Sequence, residues 1–67
     1  MIQVILNGEP RQFSAPLTFE QLLADMALAG RRIAIERNGA IVPKSSYSEA
    51  RLADGDRLEV VIAVGGG

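Results

Sequence analysis

Two Asn-Gly dipeptides, Asn7-Gly8 and Asn38-Gly39, constrain this chain more than any other feature, because each follows a segment rich in apolar residues and is suited to reverse the chain direction. A two-residue hairpin turn needs positive φ at both central positions, and Asn followed by Gly meets that need at little steric cost. Ahead of the first dipeptide, Ile2, Val4 and Leu6 alternate with Gln3 and Ile5, so the chain opens on a strand. A partner strand is expected near residues 11–14, and Pro10, which lacks an N–H, places that strand at a sheet edge. The second dipeptide joins residues 33–37 to residues 40–42 in another hairpin, which Pro43 ends.

Between the hairpins, Thr18 and Gln21 have the spacing of a capping box, and Leu17 can staple onto Leu22. Phe19, Leu22, Leu23 and Met26 recur at i, i+3, i+4 and i+7 and give the resulting helix one apolar face. Gly30 is placed to end it in the left-handed conformation, with Arg31 and Arg32 suited to the negative end of its dipole. Residues 44–52 read as an irregular connection with a short helical turn near Ser48. Asp54-Gly55-Asp56 then makes a tight turn before a last strand, in which Leu58, Val60, Ile62 and Val64 alternate with Glu59, Val61 and Ala63.

One helix across one face of a small sheet is an α+β layer arrangement. If Glu59 faces water, Leu58, Val60, Ile62 and Val64 face the helix. Val61 and Ala63 then lie on the open face, and Ile5 joins them if the first strand runs beside the last. These three are either ordinary isolated apolar residues or a docking patch for a partner.

Composition removes most other functions. A chain of 67 residues is one domain, and at that size only about 60% of the unfolded surface is buried, which leaves little room for an enclosed active site. The 48% apolar content argues for a packed core. A net charge of -1 with scattered basic residues gives no footprint for nucleic acid. No apolar run is long enough to span a membrane, and the chain is read as cytoplasmic. With neither Cys nor His, there is no thiol nucleophile, no disulfide, no common zinc site and no imidazole for proton transfer.

The remaining candidates are weak. Lys44-Ser45 lacks the glycine that a phosphate-binding loop places before its lysine, and Pro43 removes an N–H. Asp54 and Asp56 alone make a poor cation site. Ser45, Ser46 and Ser48 have no evident base to activate them. No catalytic residue, metal site or bound cofactor is expected, and the chain is not read as an enzyme.

Elimination leaves the α-carboxylate of Gly67, carried on Gly65 and Gly66. Glycine has no Cβ and can thread a slot too narrow for other residues, and three extended residues reach roughly 10 Å. The carboxylate is an anion at neutral pH, nucleophilic toward a nucleotide phosphate and unreactive as an acyl donor until activated. On the residues alone, a frayed end or an expression scar accounts for these glycines as well as a reactive tail does.

The opening strand with its Asn7 turn, Thr18-Phe19-Glu20-Gln21-Leu22-Leu23, Asn38-Gly39-Ala40-Ile41-Val42-Pro43, Tyr47, Asp54-Gly55-Asp56 and Gly66-Gly67 follow one another in an order that resembles the ubiquitin-like β-grasp sulfur carriers. Within them, the chain looks most like the ThiS-type carriers of thiazole formation in thiamin biosynthesis. The resemblance implies a mixed sheet of about four to five strands with one main helix across one face. The last strand would lie parallel to the first, with a folded body over residues 1–64 and a flexible diglycine tail over residues 65–67.

It also implies a mechanism. A ThiF-type adenylyltransferase would activate Gly67 with ATP and Mg, both used by that partner. Sulfur from a cysteine-derived donor would replace AMP, and the thiocarboxylate would pass sulfur to a ThiG-type thiazole synthase. Because the chain has no Cys, sulfur cannot ride on it as a side-chain persulfide. The small subunit of molybdopterin synthase shares the fold and the tail. It usually carries an aromatic-Pro-Pro element where this chain has Val61-Ile62-Ala63-Val64. A ubiquitin-like protein modifier, which would acylate lysines through the same tail, and a passive interaction module are the other readings.

Overall fold

The computed structural model describes residues 1–63. Five strands and one helix follow in the order β1 (Ile2–Leu6), β2 (Glu9–Phe13), α1 (Phe19–Asp25), β3 (Ile33–Arg37), β4 (Ala40–Ile41) and β5 (Arg57–Ile62), with a 3-10 turn at Lys44–Ser46 between β4 and β5. The expected extension of the last strand to Val64 and the expected body and tail boundary at residues 64 and 65 lie outside the described residues.

Both Asn-Gly turns form as expected. Asn7 and Gly8 have φ of 51° and 84°, and Asn38 and Gly39 have 52° and 88°, positive at both central positions. The first turn sets Leu6 opposite Glu9 and Ile5 opposite Pro10. The strand therefore begins at Glu9, closer to the turn than residue 11, and includes Pro10. Leu6 and Glu9 close the two-residue turn as a bonded pair, so the ring nitrogen of Pro10 points to the free edge, where no N–H is needed.

The sheet order is β2-β1-β5-β3-β4. β1 and β5 run parallel, with Ile5 beside Arg57 and Leu6 beside Leu58, whereas β3 is antiparallel to both of its neighbours. This is the mixed sheet that the resemblance implies, with β2, carrying Pro10, at one edge.

Thr18 accepts a hydrogen bond from the N–H of Gln21 at 3.1 Å, and the Gln21 side chain accepts from the N–H of Thr18 at 2.9 Å. This capping box satisfies two of the backbone donors that a helix start leaves free. Phe19, Leu22 and Leu23 are buried against Ile2, Val4, Leu6, Ile35, Leu58 and Val60 of the sheet, and Met26 and Leu17 pack at the margin. Tyr47, with its ring centroid 6.3 Å from that of Phe19, closes one end of the core with Val42 and Leu52.

The helix ends earlier than the Gly30 reading placed it. The N–H of Leu28 bonds to the carbonyl of Leu23 at 2.7 Å, the N–H of Ala27 bonds to that of Ala24 at 3.0 Å, and Ala27 has a φ of 61°. This is a Schellman cap with alanine in the left-handed position. Continued at 3.6 residues per turn, the helix would point Leu28 directly away from Phe19. Ending it lets Leu28 fold back onto the core margin. Gly30, at φ 79°, belongs to the following turn, and Arg31 and Arg32 are not in the helix's last turn. The short helical turn also differs from its expected place near Ser48. It begins at Lys44, where the N–H and hydroxyl of Ser46 both bond to the Pro43 carbonyl, at 2.9 Å and 2.8 Å.

Candidate functional site

β5 leads the chain toward Gly65, Gly66 and Gly67, the expected threading and attachment residues, all three of which lie outside the described residues. What the structure describes is how β5 is held and what its open face presents.

The start of β5 is anchored by Asp56, only 5% exposed. Its carboxylate accepts from the N–H of Ala53 at 2.8 Å and from Nδ2 of Asn38 at 3.2 Å, and pairs with the guanidinium of Arg37 at 3.0 Å. The same guanidinium lies over the Phe19 ring, 5.6 Å from its centroid. Asn38 closes the arrangement: its Oδ1 accepts from the N–H of Arg57 at 2.9 Å, and its own N–H donates to the Arg57 carbonyl at 2.8 Å. A buried charge is tolerated only when paired and hydrogen-bonded, and every one of these contacts fixes the turn before β5. Asp54 adds a second tie by accepting from the N–H of Gln3 at 2.8 Å. Both acids of the Asp-Gly-Asp turn are thus structural.

Further along, β1 leaves the sheet at the Asn7 turn while β5 continues. The Asn7 side chain takes the place of the departing strand: its Oδ1 accepts from the N–H of Val60 at 2.8 Å and its Nδ2 donates to the Val60 carbonyl at 3.4 Å. The turn residue therefore serves twice, in reversing β1 and in supporting the strand that leads to the tail.

The phase expected for β5 is the one observed. Leu58 and Val60 are buried, Ile62 is half-buried, and Glu59, Val61 and Ala63 are exposed. Val61 is 57% exposed and stands opposite Ala34, and the N–H of Ala63 bonds to the Arg32 carbonyl at 2.9 Å. Ile5 lies on the same face but is half-buried and level with Arg57, at the far end of β5 from Val61. The structure thus brings Val61 and Ala63 together and sets Ile5 apart.

It adds a residue that the alternation of the last strand does not place on this face. Ile41 is 64% exposed and sits opposite Glu36 on this open face. The signal was the adjacent pair Ile41-Val42, of which alternation can bury only one, and Val42 is the buried member.

The described residues offer little chemistry of their own. Among them, no group of three His, Cys, Asp or Glu side chains is placed to hold a metal ion. Ser46 spends its hydroxyl on Pro43. Burial raises the Tyr47 phenol above its ordinary pKa of 10.0, against a smaller opposing effect of the Ile35 backbone. No helix among the described residues is long and apolar enough to cross a membrane.

Comparison with known proteins gives a consistent set. The ThiS family model matches residues 4–67. A thiazole synthase of Paramagnetospirillum magneticum is 48% identical over 66 residues, covering 98% of this chain and 20% of that protein. The chain therefore spans about a fifth of the length of that relative. The sulfur carrier protein ThiS of Bacillus subtilis is 42% identical over 63 residues, covering 92% of this chain and 96% of the relative. The crystal structure of the thiamine biosynthesis protein ThiS from Geobacter metallireducens superposes with a TM-score of 0.82 at 25% identity, covering 98% of this chain and all of that one.

Proposed function

The chain belongs to the ThiS family, and from that premise we propose that it is a cytoplasmic sulfur carrier of thiamine biosynthesis whose working group is the carboxylate of Gly67. The observation that carries this reading is the family match itself, which continues past the sheet and through the diglycine at residues 66–67.

A carboxylate cannot accept sulfur directly, because its negative charge makes it a poor electrophile. Attack of a Gly67 oxygen on the α-phosphate of ATP releases pyrophosphate and leaves an acyl-adenylate. A sulfur nucleophile derived from cysteine then adds to the acyl carbon and expels AMP. When that nucleophile is a cysteine persulfide on the donor, the product is an acyl disulfide. A dithiol reductant cleaves its S–S bond, is itself oxidised to a disulfide, frees the donor thiol and leaves a thiocarboxylate at Gly67, which passes its sulfur to thiazole synthase. Bringing two anions together in the first step needs a magnesium ion and basic residues. In this proposal they belong to a ThiF-type adenylyltransferase.

This chain contributes three things: a rigid body, a strand held by Asn7 and Asp56, and a side-chain-free lead of Gly65 and Gly66 into the partner's site. Val61 and Ala63 form part of the surface that meets a partner, whereas Ile5, half-buried at the other end of β5, stands apart from it. The thiazole synthases that match this chain support the choice of acceptor, since a ThiS-like segment is part of their own sequences.

Complementation tests the proposal. In cells that lack their own ThiS, the chain should restore growth without added thiamine, and the chain shortened by Gly66 and Gly67 should not. Rescue by the shortened chain would overturn the proposal.

A further inference from the structure

The open face of β5, β3 and β4 carries an unfavourable charge arrangement. Glu36 and Glu59 stand directly opposite each other in the antiparallel β3 and β5 pair, both exposed on the face away from the helix. Like charges so placed repel. The ion pairs among the described residues are Arg11 with Asp25 and Arg37 with Asp56, so neither glutamate is neutralised by one. Both line a depression of about 520 Å³ whose rim also holds Asn38 and Arg57, leaving an excess of negative charge.

Apolar surface adjoins this depression. Val61 follows Glu59 on the same face of β5, and Ile41 lies across from Glu36 on β4. Apart from Met1, these two are the exposed large hydrophobic side chains among the described residues. Ala34, opposite Val61, is small and exposed, and Ile41 lies diagonally beyond it, level with Glu36.

Resting on the reading above that thiazole synthase is the acceptor, we propose that it docks on this face. It would place an arginine or lysine between Glu36 and Glu59 and an apolar side chain over Ala34, between Val61 and Ile41. Charge complementarity selects the cation. A guanidinium can engage two carboxylates at once and relieves a repulsion that the free carrier bears. The apolar contact supplies the dry centre that such an interface needs. Thiazole synthase is the occupant because relatives of that name contain a segment like this chain as a fifth of their length.

The test uses the full chain with E36Q, E59Q and E59K variants. Their thermal unfolding is measured, together with calorimetric titration against thiazole synthase and, separately, against a ThiF-type adenylyltransferase. E59Q removes the repulsion and E59K reverses it, so both should unfold at higher temperature than the parent. All three variants should nevertheless bind thiazole synthase roughly tenfold more weakly or worse, with a shallower dependence on salt than the parent chain shows. Variants that bind it as tightly as the parent chain would overturn the docking proposal alone. So would a loss of affinity confined to the adenylyltransferase. A parent chain that fails to bind thiazole synthase would overturn the choice of acceptor, and this proposal with it.

Discussion

Asn7 bonds through its side chain to both backbone groups of Val60, accepting at 2.8 Å and donating at 3.4 Å, and so continues the sheet past the point where β1 turns away. Asn7→Gly keeps the positive φ that the turn requires, removes this support and adds some freedom to the unfolded chain. It should cost about 1 kcal/mol in chemical denaturation, the usual net worth of such bonds. Amide exchange at Val60 should accelerate more than at Ile35, which tests whether the loss is local.

Asp56 joins Arg37, Asn38 and the N–H of Ala53 at the start of β5. Asp56→Asn keeps the shape but leaves the Arg37 guanidinium without its counter-charge. We expect a loss of about 2 kcal/mol, below the range for fully buried pairs because Arg37 is partly exposed. Unfolding in urea checks the size, and a double-mutant cycle with Arg37→Met checks that the loss belongs to the pair.

Ala27 holds the left-handed position of the helix cap. Ala27→Gly removes the clash of its Cβ in that conformation, offset by greater freedom of the unfolded chain. The net effect should be a gain of about 0.5 to 1 kcal/mol in chemical denaturation, because the left-handed cap position is the one that glycine suits best.

The Tyr47 phenol has its pKa raised by burial. The folded chain therefore holds this proton more tightly than the unfolded chain does. The associated stability is complete below the unfolded value of about 10 and is lost as pH rises through the folded value. Unfolding midpoints should fall on the alkaline side, and Tyr47→Phe should flatten that part of the profile.

The features legible in the sequence are those that local chemistry decides. The two Asn-Gly turns, the Thr18 and Gln21 capping box and the phase of β5 each depend on residues within a few positions of one another. The helix end was misread because Gly30 is the residue best suited to a left-handed cap, whereas the actual end is dictated by where Leu28 must go. The burial of Asp56 was equally hidden, since its partner Arg37 is at the end of β3, far away in sequence. The open-face patch was half legible. Alternation exposes Val61 and Ala63, but the parallel register that carries Ile5 away from them is set by no turn, and Ile41 reaches this face from a different hairpin.

The most direct measurement is tandem mass spectrometry on the full chain after incubation with ATP, magnesium, a ThiF-type adenylyltransferase, a cysteine desulfurase and cysteine. The intact mass should rise by the exchange of one oxygen for sulfur, with the sulfur located at the carboxyl group of Gly67 and its appearance dependent on ATP. An unchanged mass, with an adenylyltransferase that loads another ThiS protein in the same mixture, would contradict the central claim, as would sulfur found on any other residue.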